Sequence, residues 1–267
     1  MSVRDNKKTH FNIHETREMN KHSLASFAVD KWNIFDSTAA EIIKKLEGEN
    51  EDAIKHHNEW DKLHRENYAK FMEIADQTGS SESELLHQSV SQLMNNMYRD
   101  EEIVAFMEMK IIYAFRHLEI NIKRLIASAY YGTPTKQFDR WENLETFFSS
   151  KSISFKTIEG YLEIDQLRIV NNYIKHSIDI DKLTNTNIPE FSKQAFANFT
   201  QLDLFYERIK KFPQQFLDAL SSAIYHEQYE FNSQKISQLA DAFALRMDKE
   251  TAILFCTELN KCYLDED

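Results

Sequence analysis

Apolar side chains recur at every third or fourth position along most of the chain, which is the spacing of one face of an α-helix. The first such stripe predicts a helix over about 24–47. Gly48 and Asn50 are expected to stop this helix, since glycine is common just beyond a helix end. A second helix is predicted over about 51–77, so that the two form an antiparallel hairpin with strongly charged faces.

The segment from Thr78 to Glu84 is the clearest interruption of this pattern, because it contains one glycine and three serines. Within it, Ser81 and Glu84 have the spacing of a capping box that opens the next helix. Helical spacing then resumes, and the stretch Gly132-Thr-Pro134 ends the longest helix. The helices predicted after the interruption cover about 85–94, 101–131, 136–149, 156–178, 190–228 and 234–263, with a break near Pro213.

These boundaries predict three parts: a tail and helical hairpin (1–80), a helical bundle (81–182) and C-terminal helices that pack on the bundle (183–267). The longest helix of the bundle carries the best-defined apolar stripe. That stripe consists of Ile111, Phe115, Leu118, Ile122, Leu125, Ile126 and Ala129.

Composition supports an all-α fold. The 267 residues include only 4 Gly and 3 Pro, too few for the many tight turns of a sandwich, a barrel or a doubly wound α/β fold. Hydrophobic residues make up 42% of the chain and 19 of them are Phe, which is enough for a packed core. We therefore expect long helices packed around an aromatic-rich interior.

Charge excludes some classes of partner. With 32 Lys and Arg against 43 Asp and Glu, the net charge is −11, which disfavours a protein that wraps duplex nucleic acid with its whole surface. A local basic site is still allowed, because residues 110–178 contain ten Lys and Arg against seven Asp and Glu, a net of +3.

The sequence also indicates where the protein works. No apolar run approaches the roughly 18 residues of a membrane span, and the polar N-terminus lacks the apolar stretch of a signal peptide. Cys256 and Cys262 fit neither a Cys-x-x-Cys site nor a disulfide framework, so reduced thiols are expected. We therefore expect a cytoplasmic protein with no membrane partner.

The most informative stretch for chemistry runs from Leu167 to Ser177. On a helix, Leu167 and Val170 fall on the core face, while Arg168, Asn172 and His176 follow one another four residues apart on another face. Histidine can move protons near neutral pH, arginine can hold a phosphate, and an amide can position both. A polar column of this kind is also common on ordinary exposed helix faces.

Residues 170–176, Val-Asn-Asn-Tyr-Ile-Lys-His, resemble the final motif helix of the HEPN superfamily, the higher eukaryotes and prokaryotes nucleotide-binding domains. The preceding long helix (115–126), the breaker and the short aromatic helix resemble the layout of that family, so the likeness covers about residues 84–180. The resemblance implies a helical bundle that forms a homodimer, with the motif helices meeting in a metal-independent, RNA-cleaving cleft. It also implies a ribonuclease toxin or an effector in bacterial defence against phage.

The resemblance assigns roles to individual residues. His176 would be the general base or acid, and Arg168 or Lys175 would stabilise the charge on the phosphorane, while Asn171 and Asn172 would orient groups. One position departs from the motif, because Asn171 stands five residues before His176, where the family pattern has Arg, whereas Arg168 lies eight before it.

Glu119 resembles the acidic residue that some family members supply from the preceding long helix. An equally good interpretation is that Glu119 forms a row of exposed, oppositely charged side chains with Arg116 and Lys123.

Other candidate sites are weaker. His10 and His14 have a spacing that can hold a metal on a helix, but no third ligand is apparent. His56, His57 and His64 are interpreted as part of a solvated, charged helix face. The sequence contains no Gly-rich phosphate loop, so we expect no cofactor and no metal. Several aromatic residues could stack on bases but are interpreted as core: Trp141, Phe147, Phe148, Phe196, Phe199, Phe205 and Tyr206.

Three functions follow from these observations. The first is a HEPN-like, metal-independent endoribonuclease acting on RNA, accompanied by a regulatory protein partner. The second is a HEPN-like dimer that has lost cleavage through the change at Asn171 and works as a binding or regulatory subunit. The third is a helical scaffold without a nucleic-acid role.

Overall fold

A computed structural model describes residues 13–27, 34–130, 132–176, 186–192 and 199–263. Within these residues the chain forms helices and no β-strand, which confirms the all-α fold. Two short 3-10 helices accompany the α-helices, at Thr135–Gln137 and Phe155–Thr157. The α-helices are α1 (Ile13–Ala25), α2 (Ile34–Glu66), α3 (Tyr68–Thr78), α4 (Glu82–Ala129), α5 (Trp141–Ser150), α6 (Tyr161–His176), α7 (Phe199–Ile209), α8 (Phe212–Tyr229), α9 (Ser233–Ala244) and α10 (Lys249–Lys261).

The helix α2 corrects the prediction of a turn at Gly48. It continues through Gly48 and Asn50 for 33 residues, because a single glycine inside a helix costs only about 1 kcal/mol relative to alanine. The chain turns back at Asn67 instead, whose side chain accepts a hydrogen bond from the backbone N–H of Lys70 at 3.3 Å and so caps α3. The ring of Phe71 on α3 then packs edge-on against Trp60 of α2, at 5.4 Å.

The helix α4 is one continuous element of 48 residues, where the sequence predicted two helices. It contains neither Gly nor Pro, so nothing in the backbone interrupts it. The predicted capping box is confirmed: the Ser81 backbone N–H donates to Glu84 Oε2 at 2.7 Å, and the Glu84 N–H donates to Ser81 Oγ at 3.3 Å. The predicted core stripe is buried at Ile111, Phe115, Leu118, Ile122, Leu125 and Ile126, and Ala129 is partly exposed.

The chain divides into two compact units, each assembled from separate segments. The first unit comprises Met1–Val29, Asn121–Tyr161 and Gln215–Asp267. Its core is rich in aromatic rings: Phe155 stacks on Phe148 at 5.1 Å and meets Phe216 edge-on at 5.3 Å. The division predicted from the sequence, at 1–80, 81–182 and 183–267, stays a prediction.

The second unit comprises Asp30–Ile120 and Leu162–Gln214, and it contains all of α6 except Tyr161. Lys110 is buried here, where its ammonium lies 3.2 Å from Asp36 and 4.3 Å from the centre of the Tyr206 ring. A buried lysine of this kind is stable because its charge is paired. The ion pair fastens the start of α2 to the middle of α4.

The aromatic residues interpreted as core are largely buried. Trp141, Phe148, Phe205 and Tyr206 are buried, while Phe147 and Phe199 are partly exposed; Phe196 lies outside the described residues. The break predicted near Pro213 is confirmed between α7 and α8. Among the described residues, no helix combines the length and the apolar character needed to cross a membrane.

Candidate functional site

The helix α6 holds the polar column predicted from the sequence, and its local structure explains how. It starts directly after Gly160, whose backbone φ of 82° is left-handed. The hydroxyl of Tyr161 donates a hydrogen bond to Glu145 Oε1 at 2.8 Å, which fixes this first residue within the first unit. Leu167 and Val170 are fully buried on the core face of the helix. The register of α6 is therefore set by packing, and the face that carries the column is turned away from the core.

The C-terminal end of α6 presents three polar side chains together. Asn172, Lys175 and His176 are all exposed, and His176 is the last residue of α6 that the structure describes. Within the part of the chain that the structure describes, none of the three side chains forms an ion pair. A base, a cation and an amide are thus available to a ligand at one end of one helix.

Arg168 lies on the same face but is already bound. Its Nε and Nη2 atoms both donate to Asp165 Oδ1, at 2.9 and 2.7 Å, and both side chains are about three-quarters buried. Asp165 lies one turn before Arg168, whereas His176 lies eight residues after it, about 12 Å along the helix. The guanidinium is therefore neutralised and directed away from His176.

Asn171 lies in the core and not on the exposed column. It follows Leu167 by four residues, which places it on the buried face, and its side chain is 0% exposed. Its Nδ2 donates to Asn172 Oδ1 at 3.2 Å, while its Oδ1 accepts no hydrogen bond from any described residue. Because it is enclosed, Asn171 cannot orient a ligand at the surface directly.

Glu119 lies on α4, partly exposed, within the second unit. No hydrogen bond or ion pair between described residues links it to Arg116 or to the polar column of α6. The structure therefore gives Glu119 no contact with His176, and its assignment to the site stays a prediction.

The histidines of α2 are more than a solvated face, which corrects the sequence interpretation. His57 Nδ1 lies 2.7 Å from Ser89 Oγ, and His64 Nε2 lies 2.9 Å from Glu82 Oε1. Tyr68 also donates to Glu82, at 2.7 Å, and hydrogen bonds from His64 and Tyr68 lower the pKa of this carboxyl group. These contacts hold α2 and α3 against the start of α4. Because Ser89 is buried, a ligand cannot reach its contact with His57.

Over the described residues, no three His, Cys, Asp or Glu side chains cluster in a way that could hold a metal ion. The proposed pair His10 and His14 lies outside the described side chains. Cys256 and Cys262 are exposed free thiols.

Comparison of the chain with protein-family models, with curated proteins and with solved structures finds no match. The HEPN resemblance therefore rests on the sequence of about residues 84–180 alone and stays a prediction. Function has to be argued from the chemistry of the α6 end.

Proposed function

We propose that this chain is a HEPN-like protein that acts on RNA, and that the exposed end of α6 is the surface that contacts the RNA. One observation supports this proposal above the others: Asn172, Lys175 and His176 are exposed together, on a helix whose other face is anchored in the core. RNA offers phosphates, which bind lysine, and 2′-hydroxyls, which exchange protons and hydrogen bonds with histidine and amides.

Lys175 supplies the positive charge of this surface, and its side chain is exposed. A lysine that contacts a phosphate releases the cations that had neutralised that phosphate, so the contact weakens as the salt concentration rises. We therefore expect RNA affinity to depend strongly on Lys175 and to fall steeply with salt concentration.

In its cleaving form, the chain would be a metal-independent endoribonuclease serving as an effector in phage defence or in a toxin system. His176 takes the proton of a ribose 2′-hydroxyl as that oxygen attacks the adjacent phosphorus. The bond to the 5′ oxygen breaks, a 2′,3′-cyclic phosphate forms, and His176 of a second copy protonates the leaving oxygen. Lys175 offsets the charge that builds up on the phosphorane oxygens.

A second candidate is a homodimer that binds RNA without cutting it and works as a regulatory subunit. The ion pair between Arg168 and Asp165 favours this form, because it removes the arginine from reach of His176. The burial of Asn171 favours it too, since the position where the family pattern has Arg is enclosed in the core.

Expression of the wild type and of His176→Ala in a bacterial host separates the two forms. In the cleaving form, the wild type stops growth and fragments total RNA, and His176→Ala does neither. His226→Ala is the matched control, because His226 is also an exposed histidine in the last turn of a helix. Intact RNA with all three chains, combined with RNA binding that requires Lys175, would assign the binding form. Absence of both cleavage and binding would refute the proposal.

A further inference from the structure

The last two helices form a hairpin of their own, here called the C-terminal hairpin (residues 233–261). The rings of Phe243 on α9 and Phe255 on α10 lie 5.0 Å apart, so the two helices pack against each other. Asp248 caps α10 by accepting a hydrogen bond from the Thr251 backbone N–H at 2.7 Å. Asn232 caps α9 in the same way through Lys235, at 2.8 Å. Both helices are therefore individually well defined.

The C-terminal hairpin has an apolar surface that nothing in the described chain covers. Neither α9 nor α10 contains a buried residue, whereas the preceding helix α8 buries Phe216, Leu217, Leu220 and Ile224 completely. Ten large apolar side chains at the hairpin remain between 39% and 89% exposed: Phe231, Ile236, Leu239, Phe243, Leu245, Ile253, Leu254, Phe255, Leu259 and Tyr263.

The spacing of these side chains shows that the surface is organised. Ile236, Leu239 and Phe243 form one stripe on α9, and Phe255 and Leu259 lie on the facing stripe of α10. The two stripes together are here called the seam (Ile236, Leu239, Phe243, Phe255 and Leu259). Two helices alone cannot bury the seam, because each stripe packs against the other helix on one side and stays open on the other. Two further helices complete a four-helix bundle.

We propose that the C-terminal hairpin pairs with the same hairpin of a second copy of this chain, forming a four-helix bundle between two subunits. The apolar area of the two stripes matches what a homodimer needs. At about half exposure and about 200 Å² for each large side chain, Ile236, Leu239, Phe243, Phe255 and Leu259 offer about 500 Å², and about 65% of a homodimer interface is apolar. A stable interface needs about 800 Å² from each partner.

Charge identifies a second copy as the occupant. The whole chain carries −11, so most surfaces of two copies repel each other. Residues 231–263 contain three Lys and one Arg against two Asp and two Glu, a net charge of zero. This segment can therefore meet its own copy without net repulsion, and its mixed charges can pair across the contact. A strongly basic or strongly acidic partner would gain no electrostatic attraction from this neutral segment.

A contact at its base holds the C-terminal hairpin in place. The ammonium of Lys235 donates a hydrogen bond to the carbonyl of Glu227 in the last turn of α8 and lies 4.7 Å from the centre of the Phe231 ring. Lysine at the end of a helix also satisfies free carbonyls there. The hairpin thus follows α8 in a defined direction, which reduces the entropy that dimerisation would cost.

The test is sedimentation equilibrium of the full chain at about 10 µM, above the micromolar upper end of dissociation constants for interfaces of this size. We expect the wild type to have twice the 31.6 kDa mass of one chain. Leu259→Glu, and Ile236→Glu combined with it, should give a single-chain mass. Both positions are exposed, so the monomer should keep its helical content, as far-UV circular dichroism would show.

Leu204→Glu is the matched control, because Leu204 is similarly exposed but lies on α7. This variant should remain dimeric. A wild type that is monomeric would overturn the proposal, and binding of that monomer to lipid vesicles would assign the hairpin to a membrane surface instead. Glutamate variants that stay dimeric would also overturn it and place the interface elsewhere, such as at α6.

Discussion

At the scale of single residues, Asn171 shows that a polar residue next to a candidate site can belong to the core. It resembles a site residue in the sequence because it stands next to Asn172 and five positions before His176. Its spacing from Leu167 nevertheless places it on the buried face, where its Oδ1 accepts no hydrogen bond from the part of the chain that the structure describes. A buried polar atom without a partner costs about 1–3 kcal/mol.

Replacing Asn171 with leucine should therefore stabilise the protein. The two side chains have similar sizes, and the change removes the unsatisfied oxygen, so we expect the free energy of unfolding to rise by about 1 kcal/mol or more. Urea denaturation measures this change. Lys175→Leu is the control, since Lys175 is exposed on the same helix and its replacement should change stability by less than about 0.5 kcal/mol. A loss of stability in Asn171→Leu would show that the amide has a role that its hydrogen bonds do not reveal.

Arg168 offers a second test at this scale. Asp165→Asn would release the guanidinium and remove one negative charge close to the polar column. Partly exposed ion pairs are worth about 0.2–1 kcal/mol, so RNA affinity should rise about 1.4-fold to fivefold. The effect should shrink at high salt, because charge interactions are screened. Unchanged RNA affinity in a titration at low salt would show that Arg168 does not reach the RNA.

At the scale of helices, two glycines with free space around them should behave in opposite ways. An added Cβ at Gly48 or Gly79 would meet no atom within 4 Å other than the adjoining residues and the backbone of its own helix. Gly48 lies inside α2, whereas Gly79 caps α3 with a φ of 68°. Gly48→Ala should raise the free energy of unfolding by about 0.5–1 kcal/mol. Gly79→Ala should lower it by about 1 kcal/mol, because L-residues are strained at positive φ. Thermal and urea denaturation would measure both; equal effects would contradict the assigned helix boundaries.

The capping box at the start of α4 should make stability depend on pH. Hydrogen bonds from the backbone N–H and the hydroxyl of Ser81 lower the pKa of Glu84 below its ordinary 4.5. A carboxyl group with a lowered pKa stabilises the folded state above its unfolded pKa, and this contribution is lost as the pH falls through the folded pKa. Glu84→Gln should therefore lose less melting temperature than the wild type between about pH 6 and pH 3. Parallel pH curves for the two chains would exclude this contribution.

At the scale of the whole molecule, periodicity and composition were sufficient to predict helices and most of the core. The stripe from Ile111 to Ile126 is buried as predicted, because an apolar pattern that repeats over several helical turns does not depend on any single residue. The prediction of a turn at Gly48 was wrong. The length of α2 and its packing with α3 stabilise the helix by more than a single glycine destabilises it. The contacts of His57 and His64 with α4 could not be predicted, because they join positions distant in the sequence.

The candidate site was only partly predictable. Helical spacing placed Asn172 and His176 on one exposed face, as the structure shows. Arg168 and Asp165 are three residues apart, so an ion pair between them was possible from the sequence. The sequence could not show that Arg168 binds Asp165 in preference to other partners. The open surface of the C-terminal hairpin is a property of the fold, because the same stripe would be typical of an ordinary buried helix pair.

The most direct test of an RNA-contacting α6 end is a titration of fluorescent single-stranded RNA, followed by anisotropy at several salt concentrations. The wild type and His226→Ala should bind equally well. Lys175→Ala should bind more weakly, and the slope of log affinity against log salt should decrease in magnitude by about 0.7, because one phosphate contact with a single strand is lost. Equal affinities and equal slopes for the wild type and Lys175→Ala would contradict the proposed site.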